Sequence, residues 1–141
     1  MTDDTALHDL LADAGFGVLA TIKRDGRPQL SNVSYTYDTS ARLIRVSTTD
    51  GRAKTANMRR DPRVTMMAQG GDRWSYAVAD GTAELTPVAA DPNDATVDEL
   101  VEVYQAIGGE HSDWADYRAA MVRDRRLVLR IAVERVYGMT H

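Results

Sequence analysis

An Asp-Gly pair between two stretches of alternating hydrophobicity constrains this chain more than any other feature. Residues 16–23 place Phe16, Val18, Ala20 and Ile22 on one face, the period-two pattern of a strand. Arg24-Asp25-Gly26-Arg27 follows, and Asp-Gly supplies the positive φ that a tight hairpin turn needs. Pro28–Tyr37 reads as the returning strand, and Asp38–Ala41 turns the chain into Arg42–Thr48. Consecutive strands on short turns predict an antiparallel meander. Val64–Gln69, Arg73–Thr86 and Arg126–Val136 add three more strands, the last with Leu127, Leu129, Ile131 and Val133 on one face. Gly81 interrupts the second of these, as at a bulge or a barrel corner. Six strands with few helices predict a small barrel or a strongly curled sheet. A small barrel fills its own interior with side chains, which leaves a ligand to the outside or to a subunit interface.

The helices are peripheral in this reading. Residues 4–14 carry Leu7, Leu10, Leu11 and Ala14 on one stripe and stop at Gly15. Asp50–Arg60 is a short helix capped by Thr49 or Asp50 and ended by Asp61-Pro62. Asp94–Ile107 aligns Val97, Leu100, Val101, Tyr104 and Ile107, and Ser112 caps a last helix that presents Trp114, Tyr117 and Met121. With 141 residues and no repeat or linker, the expectation is one domain over 1–141. The absence of cysteine excludes disulfides, thiolate metal sites and a thiol nucleophile. No apolar run is long enough to span a membrane, and the acidic Met1-Thr2-Asp3-Asp4 start lacks the basic, apolar look of a leader. The expected compartment is the cytoplasm. A net charge of −4 argues against nucleic acid or a membrane surface as partner. His8, His111 and His141 are too scattered for a metal site, and no dinucleotide, phosphate-loop or nucleophile-elbow motif is present.

Charge is unevenly spread. Residues 42–63 hold seven Arg or Lys against two Asp, a local excess of five that leaves −9 on the rest of the chain. Such an island is either a localised anion site or a solvated helix face. The short helix begins Asp50-Gly51-Arg52-Ala53-Lys54-Thr55, with cations where the helix dipole favours anions. Free amides and two cations at one helix start suit a phosphate or carboxylate, and Asn57 lies one turn further on. The strand containing Gln29, Ser31, Asn32 and Ser34 shows uncharged polar groups on both faces. They suit either a polar heteroaromatic ring or an edge facing water. Trp74 and Tyr76, two apart, flank a flat ligand or belong to a core or interface.

Several segments together resemble a known family. Ser47-x-x-x-Gly51-Arg52-Ala53-Lys54-x-x-Asn57-x-x-x-Asp61-Pro62 resembles the cofactor-phosphate segment of the pyridoxamine 5'-phosphate oxidase-like, split β-barrel superfamily. Gly17–Ile22 with Asp25–Asn32, then Trp74–Val78, Gly81–Pro87, Glu110–Trp114 and Tyr117-Arg118, are similar to its mycobacterial-type coenzyme F420-dependent flavin/deazaflavin oxidoreductases, group B. The resemblance implies a mainly β fold with peripheral helices, a split β-barrel of six to seven antiparallel strands, assembled as a homodimer with cofactor at the interface. It assigns the phosphate to Arg52, Lys54 and Asn57, helped by Ser47, Thr48 and the backbone near Ala53. The ring would lie near Gln29, Ser31 and Asn32, with Trp74 and Tyr76 from the other subunit.

The implied activity is hydride transfer from reduced coenzyme F420 to a small organic acceptor: an activated double bond, a quinone or a bilin-like compound. No side chain acts as nucleophile, because the cofactor carries the hydride. No catalytic residue is identified. Tyr35, Tyr37 and solvent are the candidate proton donors. Arg24, Arg27, Arg59 and Arg60 are available for the coenzyme's polyglutamate tail. FMN shares the ribityl phosphate, so an FMN-dependent oxidase or reductase stands as the alternative, as does a non-enzymatic F420 or small-molecule binder.

Overall fold

The structure is a computed structural model that describes residues 4–141. Of the acidic N-terminal segment, only Asp4 lies within the described residues. The chain runs α1 (Asp4–Ala14), β1 (Phe16–Ile22), β2 (Pro28–Ser34), β3 (Thr36–Asp38), β4 (Leu43–Thr49), α2 (Ala53–Arg60), β5 (Arg63–Gln69), β6 (Tyr76–Leu85), α3 (Ala95–Gly108), α4 (Trp114–Arg123) and β7 (Arg126–Met139). Among the described residues, no helix is long and apolar enough to cross a membrane.

The strands form one antiparallel sheet in the order β2-β1-β5-β6-β7-β4-β3. Its two edge strands, β2 and β3, are separated in sequence by Tyr35 alone. A single residue spans about 3.3 Å, so the sheet has to roll until its edges meet. The result is a curled, split barrel, as the sequence predicts. Tyr35 makes the corner: its amide donates to Gly15 O at 3.0 Å and its hydroxyl to Leu11 O at 2.6 Å.

That corner corrects the expected meander. Pro28–Tyr37 is not one strand paired on both sides. β2 pairs with β1 and β3 pairs with β4, because the chain leaves one sheet edge for the other at Tyr35.

The Asp-Gly hairpin forms as expected, with Gly26 at φ +86°. In β1 the fully buried face is Gly17, Leu19 and Thr21, while Phe16, Val18, Ala20 and Ile22 look outward. The barrel interior is filled by Leu19, Val33, Tyr35, Ile44, Met66 and Leu129, among others. At Gly81 the β6–β7 register shifts, and a Cβ there would lie 2.4 Å from Ala132 O. The bulge therefore needs glycine.

A second apolar cluster lies outside the barrel, where α3 and α4 cover Val128 of β7. Leu127 and Leu129 face the interior, so β7 is buried on both sides. The inward face of α3 is Val97, Leu100 and Val103, whereas Ile107 is 43% exposed. Arg130 grips Glu99 with two hydrogen bonds and also bonds Glu84, which ties α3 to β7 and β6.

Three local expectations change. The N-cap of α2 is Arg52, without a side-chain cap bond, because Thr49 and Asp50 bond to arginines instead. The last helix is capped by Asp113 and not Ser112. β6 starts at Tyr76, since the Asp72 carboxylate accepts from the amides of Trp74 and Ser75 and holds both in the preceding turn.

Candidate cofactor-binding site

The seven cations of the basic island separate once the chain is folded. Arg45, Arg59 and Arg63 form ion pairs with carboxylates. Arg42 bonds His8, and Arg60 bonds Ile22 O and Asn57 Oδ1. Arg52 and Lys54 have no carboxylate partner among the described residues. Both sit where β4 ends, Gly51 turns the chain at φ +84°, and α2 begins uncapped.

A third cation joins them from far along the chain. Arg126 opens β7 and pairs with Thr49 in the β4–β7 ladder. Its Nη1 donates to Ser47 Oγ at 3.2 Å, and its buried Nε has no partner. Arg52 Nε donates to Thr49 Oγ1 at 2.8 Å. Burial holds the Lys54 ammonium below the ordinary lysine pKa, and the positive charges of Arg52 and Arg126 push it the same way. Three neighbouring cations beside uncapped helix amides are self-repelling by themselves and complementary to a phosphate.

The other expected site residues fall into three groups. Ser47 is on the outer face of β4 with the cations, whereas Thr48 is buried against the barrel interior. Ala53 is the first helical residue, exposed. Asn57 is 7% exposed and faces inward: its amide donates to Thr21 Oγ1 and Gln29 Oε1, both at 3.1 Å. It therefore braces α2 against β1 and β2, one turn beyond Lys54. Gln29 and Ser31 share the half-buried face of β2, and Asn32 lies on the opposite, exposed face.

Trp74 and Tyr76 are not brought to Gln29 within one chain. Three strand spacings separate β2 from β6, about 14 Å. Tyr76 pairs with Gln69, near the Phe16 end of β1, whereas Gln29 pairs with Thr21 at the other end. Trp74 is 67% exposed. It stands beside an outward apolar face that includes Phe16, Leu30, Met67, Tyr137 and Met139, each at least 39% exposed. Adjacent ladders place Val18, Met67, Val78 and Tyr137 in one row across this face.

Tyr35 and Tyr37 are buried, and each hydroxyl is committed near α1, to Leu11 O and to His8 Nδ1. Arg24 and Arg27 have exposed side chains at the hairpin tip.

The profile described as pyridoxamine 5'-phosphate oxidase matches residues 4–140. The chain belongs to this family. A protein of Mycobacterium tuberculosis (strain CDC 1551 / Oshkosh) named F420H(2)-dependent biliverdin reductase is 27% identical over 128 residues, 91% of this chain and 82% of that one. A conserved hypothetical protein of Mycobacterium tuberculosis superposes with a TM-score of 0.76 at 24% identity, covering 100% of this chain and 86% of that one. A solved F420 reductase superposes with a TM-score of 0.70 at 22% identity, over 92% and 94% of the two chains.

Within the pyridoxamine 5'-phosphate oxidase family fold, Arg126 is the residue that the sequence does not announce. It lies 72 positions after Lys54, and only the β4–β7 register brings the two together. The one local signal is a charged first residue on a strand that also carries Arg130, Glu134 and Arg135, which is too common to single it out.

Proposed function

We propose that this chain is a coenzyme F420-dependent oxidoreductase acting as a homodimer. The observation that carries the reading is the carboxylate-free convergence of Arg52, Lys54 and Arg126 at the start of α2. Arg52, Lys54 and the amides near Ala53 would hold the cofactor phosphate, and Arg126 adds positive potential. Gln29, fixed through Asn57, and Ser31 on the same face of β2 would meet the ring. When bound, the reduced deazaflavin supplies a hydride. The acceptor is a small organic compound such as an activated double bond, a quinone or a bilin-like pigment. Because the Tyr35 and Tyr37 hydroxyls are committed near α1, solvent supplies the accompanying proton. Arg24 and Arg27 are free for an anionic tail, whereas Arg59 and Arg60 are already bonded.

The outward apolar face is the proposed dimer contact. A second copy packed there would bring its Trp74 and Tyr76 toward the ring site from across the interface. The cations suit FMN as well, and the family includes an oxidase by name, so FMN is the second reading. The name of the 27% identical relative favours F420.

Fluorescence titration with F420 and with FMN tests the choice. Micromolar or tighter binding of F420 with weaker FMN binding is expected. A clear preference for FMN would replace the first reading by the second.

A further inference from the structure

The apolar cluster under α3 and α4 is not sealed. A cavity of about 340 Å³ opens between the C-terminal half of α3, α4 and the first residue of β7. Val103, Ile107 and Met121 line it together with the rings of Tyr104 and Tyr117. The polar lining is Arg126 and Ser47. Among the described residues, no carboxylate lines it.

Two features mark this cavity as built for a ligand. The first is the Arg126 guanidinium. Its Nη1 bonds Ser47, which leaves the side-on fork of Nε and Nη2, and Nε is buried without an acceptor. A buried N–H without a partner is uncommon and costly, and the side-on fork of an arginine matches the two oxygens of a carboxylate. The second is a firm wall. Tyr104, His111, Trp114 and Tyr117 lock edge to face or tilted, with centroids 5.0–5.6 Å apart. The Tyr117 hydroxyl is committed to Leu100 O at 3.0 Å, so its ring offers the cavity an apolar surface.

We infer that this cavity binds an apolar monocarboxylate, its acid group on the Arg126 guanidinium and its hydrocarbon body against Val103, Ile107, Met121 and the two tyrosine rings. The volume is at the small end of ligand pockets, so the body is one ring or a short chain. The lining comes from β4, α3, α4 and β7, with no residue of α2. It therefore shares Arg126 and Ser47 with the edge of the proposed phosphate position, and competition with F420 distinguishes two sites from one.

Calorimetric titration of the full chain with sodium octanoate, and with octanol as its neutral counterpart, tests this. One octanoate per chain is expected, with octanol at least tenfold weaker. Arg126→Gln should weaken octanoate at least tenfold and leave octanol unchanged. Ile107→Trp, at an exposed rim position where folding is not at stake, should block both. Three results would overturn the inference: no binding of octanoate, equal affinity for acid and alcohol, or displacement of octanoate by added F420. The first would mean that the cavity holds only water. The last would make it part of the cofactor site.

Discussion

Lys54→Ala separates a binding lysine from a structural one. Lys54 has no carboxylate partner among the described residues, is partly buried, and feels the like charges of Arg52 and Arg126. Removing it costs the folded apo-protein no ion pair. It relieves repulsion, and alanine is the better helix former. Apo stability should stay the same or rise by up to about 1 kcal/mol, roughly 2–8 °C in Tm for a chain of this size. Cofactor binding should behave the opposite way. A lost charge-assisted hydrogen bond is worth about 1.5–3 kcal/mol, which is roughly a 10- to 150-fold rise in Kd. Differential scanning fluorimetry of the apo-protein and fluorescence titration of F420 read the two quantities on one sample. Asn57→Ala is the contrast. Its buried amide bonds both Thr21 and Gln29, so its loss should destabilise the apo-protein by about 1–3 kcal/mol. A Tm drop of several degrees for Lys54→Ala, with Kd within threefold of wild type, would refute the phosphate assignment.

Three further outcomes follow from the same geometry. The ammonium of Lys54 is held below its usual pKa and an anion would favour its charged form, so Kd for F420 should rise with pH. The rise should begin below the lysine value of 10.5 and approach tenfold per pH unit; an equal dependence in Lys54→Arg would exclude Lys54 as its source. A mixed dimer pairing one Trp74→Ala subunit with one Lys54→Ala subunit should keep about half its sites at native affinity if Trp74 serves the partner's site. Uniformly impaired sites, or a monomer in sedimentation, would reject the shared interface. Gly81→Ala drives a Cβ to 2.4 Å from Ala132 O and should cost about 1–3 kcal/mol, seen as a lower denaturant midpoint at unchanged slope; an unchanged midpoint would show that the bulge relaxes freely.

Much of the fold was legible because its signals are local. The Asp25-Gly26 turn, the alternation of β1, the stop at Gly15, the break at Asp61-Pro62 and the bulge at Gly81 each arise from a residue and its immediate neighbours. The cations at the α2 start were legible for the same reason: Arg52 and Lys54 lie two apart in sequence and stand where the dipole favours anions, which is the basis of the proposed phosphate position. The local caps were less secure. Thr49 and Asp50 have the right chemistry for an N-cap, but Arg52, Arg59 and Arg125 compete for their oxygens, and that competition is invisible without tertiary contacts.

What only the tertiary structure decided was pairing across sequence distance. Pro28–Tyr37 has the composition of one strand, and its local pattern contains no instruction to change edges at Tyr35. The break is imposed by a rolled sheet whose two edges have to be joined. Trp74 has strand-like neighbours, yet the Asp72 carboxylate captures its amide and holds it outside β6. The basic island looked like one surface until folding paired Arg45 with Glu99 and Glu102 of α3 and set Arg59 and Arg63 on the island's own Asp50 and Asp61. Arg126 shows the same limit from the other side. Its place beside Arg52 and Lys54 is set by the β4–β7 register, so the decisive interaction lies between backbone ladders and leaves no trace in the residues that flank it.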